Sequence, residues 1–340
     1  MLVCTISTAS HLPRAACLAK SIRDTQPGHT MLLCLVERDR SGIGGFRGYF
    51  SNVILASELD LPRFESLMFR YVALEACMAV KAQILLWAMR EFPKEEYFLY
   101  LDSDTFAYSR FEELEFTLPR AEVLLTPHHV QDEYSVERTC DNMLRTLLCG
   151  TFNSGFVAVR RTPAAVAFLK WWNEKLERFC YKDESCGLYF EQRWLDAAIA
   201  FFDITIFREP GYNVANWNVA SRSLTFSRGF GYLVNGRPLR FFHFSMVDSG
   251  RDLHYLHKHL PKENPVFQMR DEHVRQITTL DGAAHSRIPW SYDFYFSGDR
   301  VAPEVRRAYR DLREFSGKFA DPFAQSNAIM SCAEAALLTV

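Results

Sequence analysis

A chain of 340 residues, 48% hydrophobic and 24% charged, is long enough to bury a large core, either as one α/β unit with an appended tail or as two domains. Its formal net charge of −2, without a block of like charges, lacks the basic footprint of a nucleic-acid partner. No stretch approaches the roughly 18 apolar residues of a membrane span.

No basic and then long apolar leader precedes the first strand, so the cytoplasm is the expected location, with attachment to the inner membrane face as the second option. Nine cysteines, among them Cys4, Cys34, Cys77 and Cys149, sit in apolar runs where a reduced thiol acts as a small hydrophobe. Cys180 and Cys186 lack the second Cys/His pair of a structural zinc site. With 28 Phe and 14 Tyr, aromatic-lined grooves are expected.

Short apolar runs alternate with longer helical patterns through the N-terminal half, the mark of βαβ units around a mostly parallel sheet. Leu2 to Ser7 reads as the first strand; a helix opens at Ser10, carries Pro13 early and runs to about Asp24, where Gln26-Pro27-Gly28 stops it. Thr30 to Val36 is the second strand. A glycine-rich loop, Ser41 to Gly45, expected to be mobile, leads to a third at Val53 to Ala56.

From Pro62 to about Phe92, apolar residues such as Leu67, Tyr71, Leu74, Met78, Ala82, Leu85 and Met89 recur at helical spacing, as one kinked helix or two. Tyr97 to Leu101 is a continuous apolar run, as in a strand covered on both faces, and ends in Asp102-Ser103-Asp104. Strands follow at Val123 to Thr126 and Phe156 to Val159, then helices at Pro163 to Phe179 and Glu191 to Phe202. Further strands lie near Ile204 and at Leu239 to Phe244.

Beyond Asp248 the pattern weakens into a tail rich in His, Arg and aromatics, helical from Pro303 to about Phe315 and closing on small apolar residues near Ala333. The expected division is a catalytic domain over 1–250 and a mostly helical extension over 251–340, suited to acceptor contact or homo-oligomerisation. No internal repeat is visible.

Ligands of open α/β sheets bind outside the carboxyl ends of the strands, where Asp102 and Asp104 fall. With Ser103 between them, both carboxylates converge on one hard cation if the chain leaves its extended form; otherwise they cap a turn. A divalent ion there neutralises a departing diphosphate as a Lewis acid, chemistry that needs no protein nucleophile. Arg70 and Lys81, on the preceding helical stretch, are long cations suited to a diphosphate, a solvated face being the other reading of Lys81. Asn213 to Asn218, with Trp217 among amides, suits a sugar-lining segment or a loop around a buried tryptophan.

Phe98 to Thr105 (FLYLDSDT) and Phe152 to Val159 (FNSGFVAV) resemble two hallmark segments of the glycogenin and lipopolysaccharide galactosyltransferase family. Phe190 to Asp196 (FEQRWLD) resembles its acidic-Gln segment, and Phe242 to Ser245 (FHFS) its C-terminal strand with a metal-binding histidine. Four motifs in order are far more specific than one. The resemblance implies a GT-A type, single Rossmann-like α/β domain with a mostly parallel sheet flanked by helices, plus the C-terminal extension.

It also implies that His243 joins Asp102 and Asp104 in a ligand set suited to Mn2+ or Mg2+. By the same carry-over Gln192 sits near the reacting sugar carbon, and Glu191 and Asp196 orient sugar hydroxyls or build the surrounding shell. Asn153, Ser154 and Gly155 meet donor sugar or phosphate, Ser103 lies with them at the cofactor, and Thr5, Ile6 and Ser7 seat base and ribose.

The implied reaction is transfer, with retention, from a nucleotide sugar, UDP expected, to a glycan, lipid-linked or protein acceptor. The chain departs from the family after His243, where Ser245-Met246-Val247-Asp248 replaces the usual Gly and Lys, so the residue gripping the leaving diphosphate is open. Two rivals stand beside this reading: a catalytically silent nucleotide-sugar-binding protein, and a haloacid-dehalogenase-type phosphatase, whose motif carries Thr or Val where Phe106 stands.

Overall fold

The computed structural model describes residues 1–133, 135–311, 321–324 and 329. In chain order the first strands are β1 (Leu2–Ser7), β2 (Thr30–Leu35), β3 (Asn52–Leu55), β4 (Tyr97–Leu101), β5 (Thr105–Ala107), β6 (Val123–Pro127) and β7 (Phe152–Arg160). A seven-stranded sheet has the order Ile204–Ile206, β6, β7, β4, β1, β2, β3. Every neighbouring pair is parallel except the two made by β7. Because β7 runs backwards, its first residues share one edge of the sheet with the ends of β4 and β6, Phe156 facing Leu101 and Phe152 facing Pro127.

Strand alternation divides the core into two layers. Leu2, Cys4, Ile6, Phe98 and Tyr100 belong to one apolar cluster, and Val3, Leu99 and Leu101 to the other. This two-sided burial explains the unbroken apolar run that ends at Asp102. Helix α1 (Leu12–Thr25), with Pro13 in its first turn, where a missing N–H costs nothing, covers the second layer.

The stretch read as one or two helices is three: α2 (Phe64–Arg70), α3 (Ala73–Ala79) and α4 (Lys81–Glu91). The break before α3 is made by extended backbone at Tyr71 and Val72, and Glu75 reaches back to the Val72 N–H at 3.2 Å. α4 and the Pro163–Phe179 helix pack against each other. The glycine-rich segment forms 3-10 turns over Ser41–Tyr49 and is anchored by buried Ile43 and Phe46.

A small second sheet sets His243 in place: Phe241–His243 pairs with Val214–Ala215 and, antiparallel, with β5, so that His243 faces Thr105. The described residues after 250 include helices Arg251–His259, Pro265–Asp281 and Pro303–Asp311. Leu256, Val266 and Met269 of the first two join a smaller cluster with Val214, Phe242 and Phe244, and the third joins the main core through Tyr309. Arg306 donates to the carbonyls of Met68, Phe69 and Tyr71 at 2.8 to 3.1 Å, and the Trp290 indole to Val36 O at 2.8 Å. The expected helix end at Phe315 and the segment near Ala333 lie outside the described residues.

Among the described residues eight cysteines are free thiols, Cys180 and Cys186 included. No described helix is long and apolar enough to cross a membrane.

Candidate metal and donor site

At the end of β4 the chain turns at once: both the N–H and the hydroxyl of Thr105 bond to Asp102 O, at 3.1 and 2.7 Å. That turn lets Asp102 and Asp104 point to one place, as the spacing requires for a shared cation. Pairing with β5 delivers His243, whose Nε2 lies 3.0 Å from Asp104 Oδ1 and 3.9 Å from Asp102 Oδ2. The three ligand atoms lie within 4.8 Å of one another.

The imidazole is oriented from behind. Asn213, held in the left-handed region at φ 48°, donates to Thr126 Oγ1 and Asn153 Oδ1, at 2.8 and 3.0 Å, and turns its own Oδ1 toward His243 Nδ1 at 3.2 Å. With Nδ1 as donor, Nε2 presents its lone pair toward the two carboxylates, the arrangement of a metal-ligating histidine. Without a cation, the same nitrogen takes a proton. Burial disfavours that charge, but Asp104 and then Asp102 outweigh it and raise the His243 pKa. Burial likewise works against Asp104, yet His243 and Arg14 hold its carboxyl well below the usual carboxylate range.

Gly155 is what lets β7 come so close. A Cβ there would sit 2.5 Å from His243 Cε1, 2.8 Å from Asn153 Oδ1 and 2.9 Å from Asp102 Oδ2. Gly155→Ala is therefore expected to cost about 1–3 kcal/mol by overpacking and to weaken Mn2+ binding at least about tenfold. Urea unfolding and a Mn2+ titration of the variant check both, and a wild-type metal affinity would refute the crowding.

On the opposite side, alternation along β4 places Tyr100 and Asp102 on the face where α4 begins. Lys81, the first residue of α4 and 1% exposed, bonds to Asp102 Oδ1 at 2.8 Å and Glu191 Oε1 at 2.7 Å, with its Nζ 4.9 Å above the Tyr100 ring. Tyr100 OH donates to the same Asp102 oxygen at 2.7 Å, and Ser154 bonds to Glu191. Burial opposes the ammonium charge, but Asp102 and Glu191 overcome it and push the Lys81 pKa up. Lys81 is thus a buried counter-ion, which decides against its solvated-face reading.

Most of the residues singled out in the sequence meet at this edge, in different parts. Gln192 donates to Cys149 O at 2.7 Å. Glu191, 1% exposed, belongs to the shell around Lys81. Asp196 pairs with Arg193 and accepts the Thr151 N–H at 2.9 Å, fixing the entry to β7. Ser103 is half-buried, beside the acids. Thr5, Ile6 and Ser7 are buried at the end of β1; Ile6 packs in the core, Thr5 Oγ1 has no partner, and Ser7 bonds to Thr8 O.

Arg70 is a correction. It ends α2, and its guanidinium donates to Glu177 O at 3.0 Å on the last turns of the Pro163–Phe179 helix. Among the described residues no hydrogen bond or ion pair joins it to the acids. The extended backbone at Tyr71 and Val72 ends α2 before α4 begins, so the two cations sit on separate helices.

Asn213 to Asn218 forms the structured loop that is one of its two readings. Asn218, fully buried, bonds to Ala215 N, His128 O and Asn213 O at 2.9 to 3.0 Å, and Trp217 stands edge-on to His243 with ring centres 5.2 Å apart. The segment braces His243, and Trp217 is half-buried in it.

Buried histidines ring the site. Burial pushes His128 and His273 down to about 3 and His129 to about 4. A depressed histidine stays neutral in the fold while the unfolded chain takes up protons below its ordinary pKa, so its presence destabilises as pH falls below about 6.5. For His273, stacked on Phe244 at 3.9 Å, His273→Phe should gain about 2 kcal/mol on wild type between about pH 7 and pH 5. Urea unfolding of both chains at the two pH values measures this; a difference independent of pH contradicts it.

Fold and site together define a class: an α/β protein whose strand ends carry an acid pair and a histidine able to share one divalent cation. Residues 73–195 match the galactosyl transferase GMA12/MNN10 family, which makes this class a glycosyltransferase one. The matched stretch contains Lys81, the acid pair and Gln192, whereas Asp196 and His243 fall beyond it.

The chain is 27% identical over 290 residues to "Uncharacterized protein YfnF" of Bacillus subtilis (strain 168), covering 82% of this chain and 94% of that protein. Among solved structures, the galactosyltransferase LgtC in complex with donor and acceptor sugar analogs is 12% identical at a TM-score of 0.47, covering 85% of this chain and 98% of that one. Mouse xyloside xylosyltransferase 1 is 14% identical at a TM-score of 0.41, covering 72% and 97%. At such identities and scores neither likeness bears on the chemistry of this site.

Proposed function

We propose that the chain is a metal-dependent glycosyltransferase that moves a sugar from a nucleotide sugar, UDP-linked, to an acceptor hydroxyl with retention at the anomeric carbon. The observation that carries this reading is the convergence of Asp102, Asp104 and His243 beside Gly155 at the strand ends. Two carboxylates and an imidazole with its far nitrogen already tied to Asn213 suit Mn2+ or Mg2+. Such an ion, when bound, supplies Lewis-acid neutralisation of the departing diphosphate.

The chain's own residues supply the remainder. Lys81 and Tyr100 fix the Asp102 carboxylate, and Gly155 keeps β7 close enough for the donor to lie across the edge. Gln192, anchored through its amide nitrogen, leaves its amide oxygen for the reacting sugar. Glu191 and Asp196 are each engaged by a cation, which leaves neither free as the general base of an inverting reaction and supports retention. Thr5, Ser7, Asn153 and Ser154 complete the donor seat.

The acceptor is a glycan, a lipid-linked glycan or a protein, and residues 1–250 carry the chemistry. The free thiols of the described residues fit a cytoplasmic setting.

Incubation with a panel of nucleotide sugars and Mn2+ tests the reading. Slow UDP release from one UDP-sugar, stopped by chelation, is expected. Binding across the panel without turnover, or phosphate-ester hydrolysis instead, would refute it. NMR of the first-formed product should give the donor's anomeric configuration, and an inverted product contradicts retention.

A further inference from the structure

A nucleoside diphosphate brings more negative charge than the site as described can balance. Lys81 is already spent on Asp102 and Glu191. The segment that follows His243 carries no cation and instead presents Asp248, 59% exposed. Facing it is Arg14, the third residue of α1, whose guanidinium forms an ion pair with the Asp248 carboxylate and is otherwise largely buried.

The surroundings of Arg14 point the same way. α1 packs against β5, which continues directly from Asp104, and against the Pro265–Asp281 helix. From that helix His273 stacks on Phe244, whose N–H bonds to Asp104 O at 2.8 Å. His273 is 2% exposed and both of its ring nitrogens lack a hydrogen-bond partner. Its charged neighbours are Asp104, Arg14 and Arg270, so a ligand oxygen entering there meets unused polar groups as well as Arg14. The N-terminal end of α1, a helix longer than three turns, adds a favourable dipole for an anion.

We infer that Arg14 binds the diphosphate of the nucleotide donor, and that Asp248 holds the guanidinium in that position until the diphosphate displaces it. The inference rests on the nucleotide-sugar reading above. A planar guanidinium can match two phosphate oxygens, so the exchange replaces a single carboxylate partner with one of greater charge. It also answers the question left by the chain's departure after His243: the cation comes from α1 and not from the segment behind the histidine.

Calorimetric titration of the full chain with UDP in Mn2+ tests it. Arg14→Gln should weaken UDP binding about 10- to 100-fold, the loss of a charge-assisted contact. Arg14→Lys should restore part of that loss. Asp248→Asn, on an exposed carboxylate, should tighten UDP binding several-fold. In the Arg14→Gln background the Asp248→Asn gain should vanish.

Wild-type affinity in a folded Arg14→Gln chain, or an Asp248→Asn gain that persists without Arg14, overturns the inference while leaving the donor reading intact. If wild type takes up no UDP, or takes it up equally well as Asp104→Ala, the donor reading falls and the inference falls with it.

Discussion

Asp104→Ala is expected to lower sugar-transfer turnover by about a thousandfold or more while leaving the chain folded. Its carboxylate faces His243, with Arg14 as a second charged neighbour, in the cluster proposed to hold the ion. A metal ion's stabilisation of a departing diphosphate is worth several kcal/mol, and each 1.4 kcal/mol is about tenfold in rate. Removal also takes away one of the three groups that converge at the site, leaving Asp102 and His243 alone. Steady-state UDP release with saturating Mn2+ and thermal unfolding together check the claim. Lost activity with a retained melting transition is the expected pair, and turnover within about tenfold of wild type contradicts it.

Lys81→Met should do its main damage to the fold. The ammonium is buried with two carboxylates and a tyrosine ring around it, and methionine fills the volume without the charge. Breaking a buried ion pair by removing one partner costs about 3–5 kcal/mol, because the remaining charges are left unpaired in a low-dielectric interior. Lys81→Met/Glu191→Gln should recover a good part of that loss, since one unpaired carboxylate is then gone. Urea unfolding of the single and double variants measures the difference. A single variant as stable as wild type would show that the cluster is not a coupled unit.

The acid pair was legible because a strand covered on both faces has to be apolar throughout, so the switch from Leu101 to Asp102 marks the sheet edge. The Pro163–Phe179 helix was legible for a similar reason: Thr162 caps it, accepting the Ala165 N–H, and Pro163 opens it. The division of Pro62 to Phe92 was not, because Tyr71 and Val72 break the helix without a glycine or proline. The helix Leu144–Cys149 and the π turn before it at Thr139–Met143 left no clear periodicity, since Leu144 and Leu147 face solvent.

At the site itself, pairings between distant segments decide the roles. Nothing near Arg14 in sequence marks it as the partner of Asp248, and nothing near Asn213 marks it as the brace of His243. Tyr100 looks like one more apolar strand residue until its hydroxyl is seen on Asp102. Arg70 and Lys81 read alike as helical cations; only the break between α2 and α4 sends one to Glu177 O and the other to the acids.

The central claim is that Asp102, Asp104 and His243 together hold one divalent cation against a nucleotide diphosphate. Mn2+ titration followed by electron paramagnetic resonance, with and without UDP, tests it most directly. The account predicts about one bound ion per chain, tightened by UDP, with the signature of a coordinated imidazole nitrogen that His243→Ala removes. Binding of Mn2+ unchanged by His243→Ala and indifferent to UDP would contradict it.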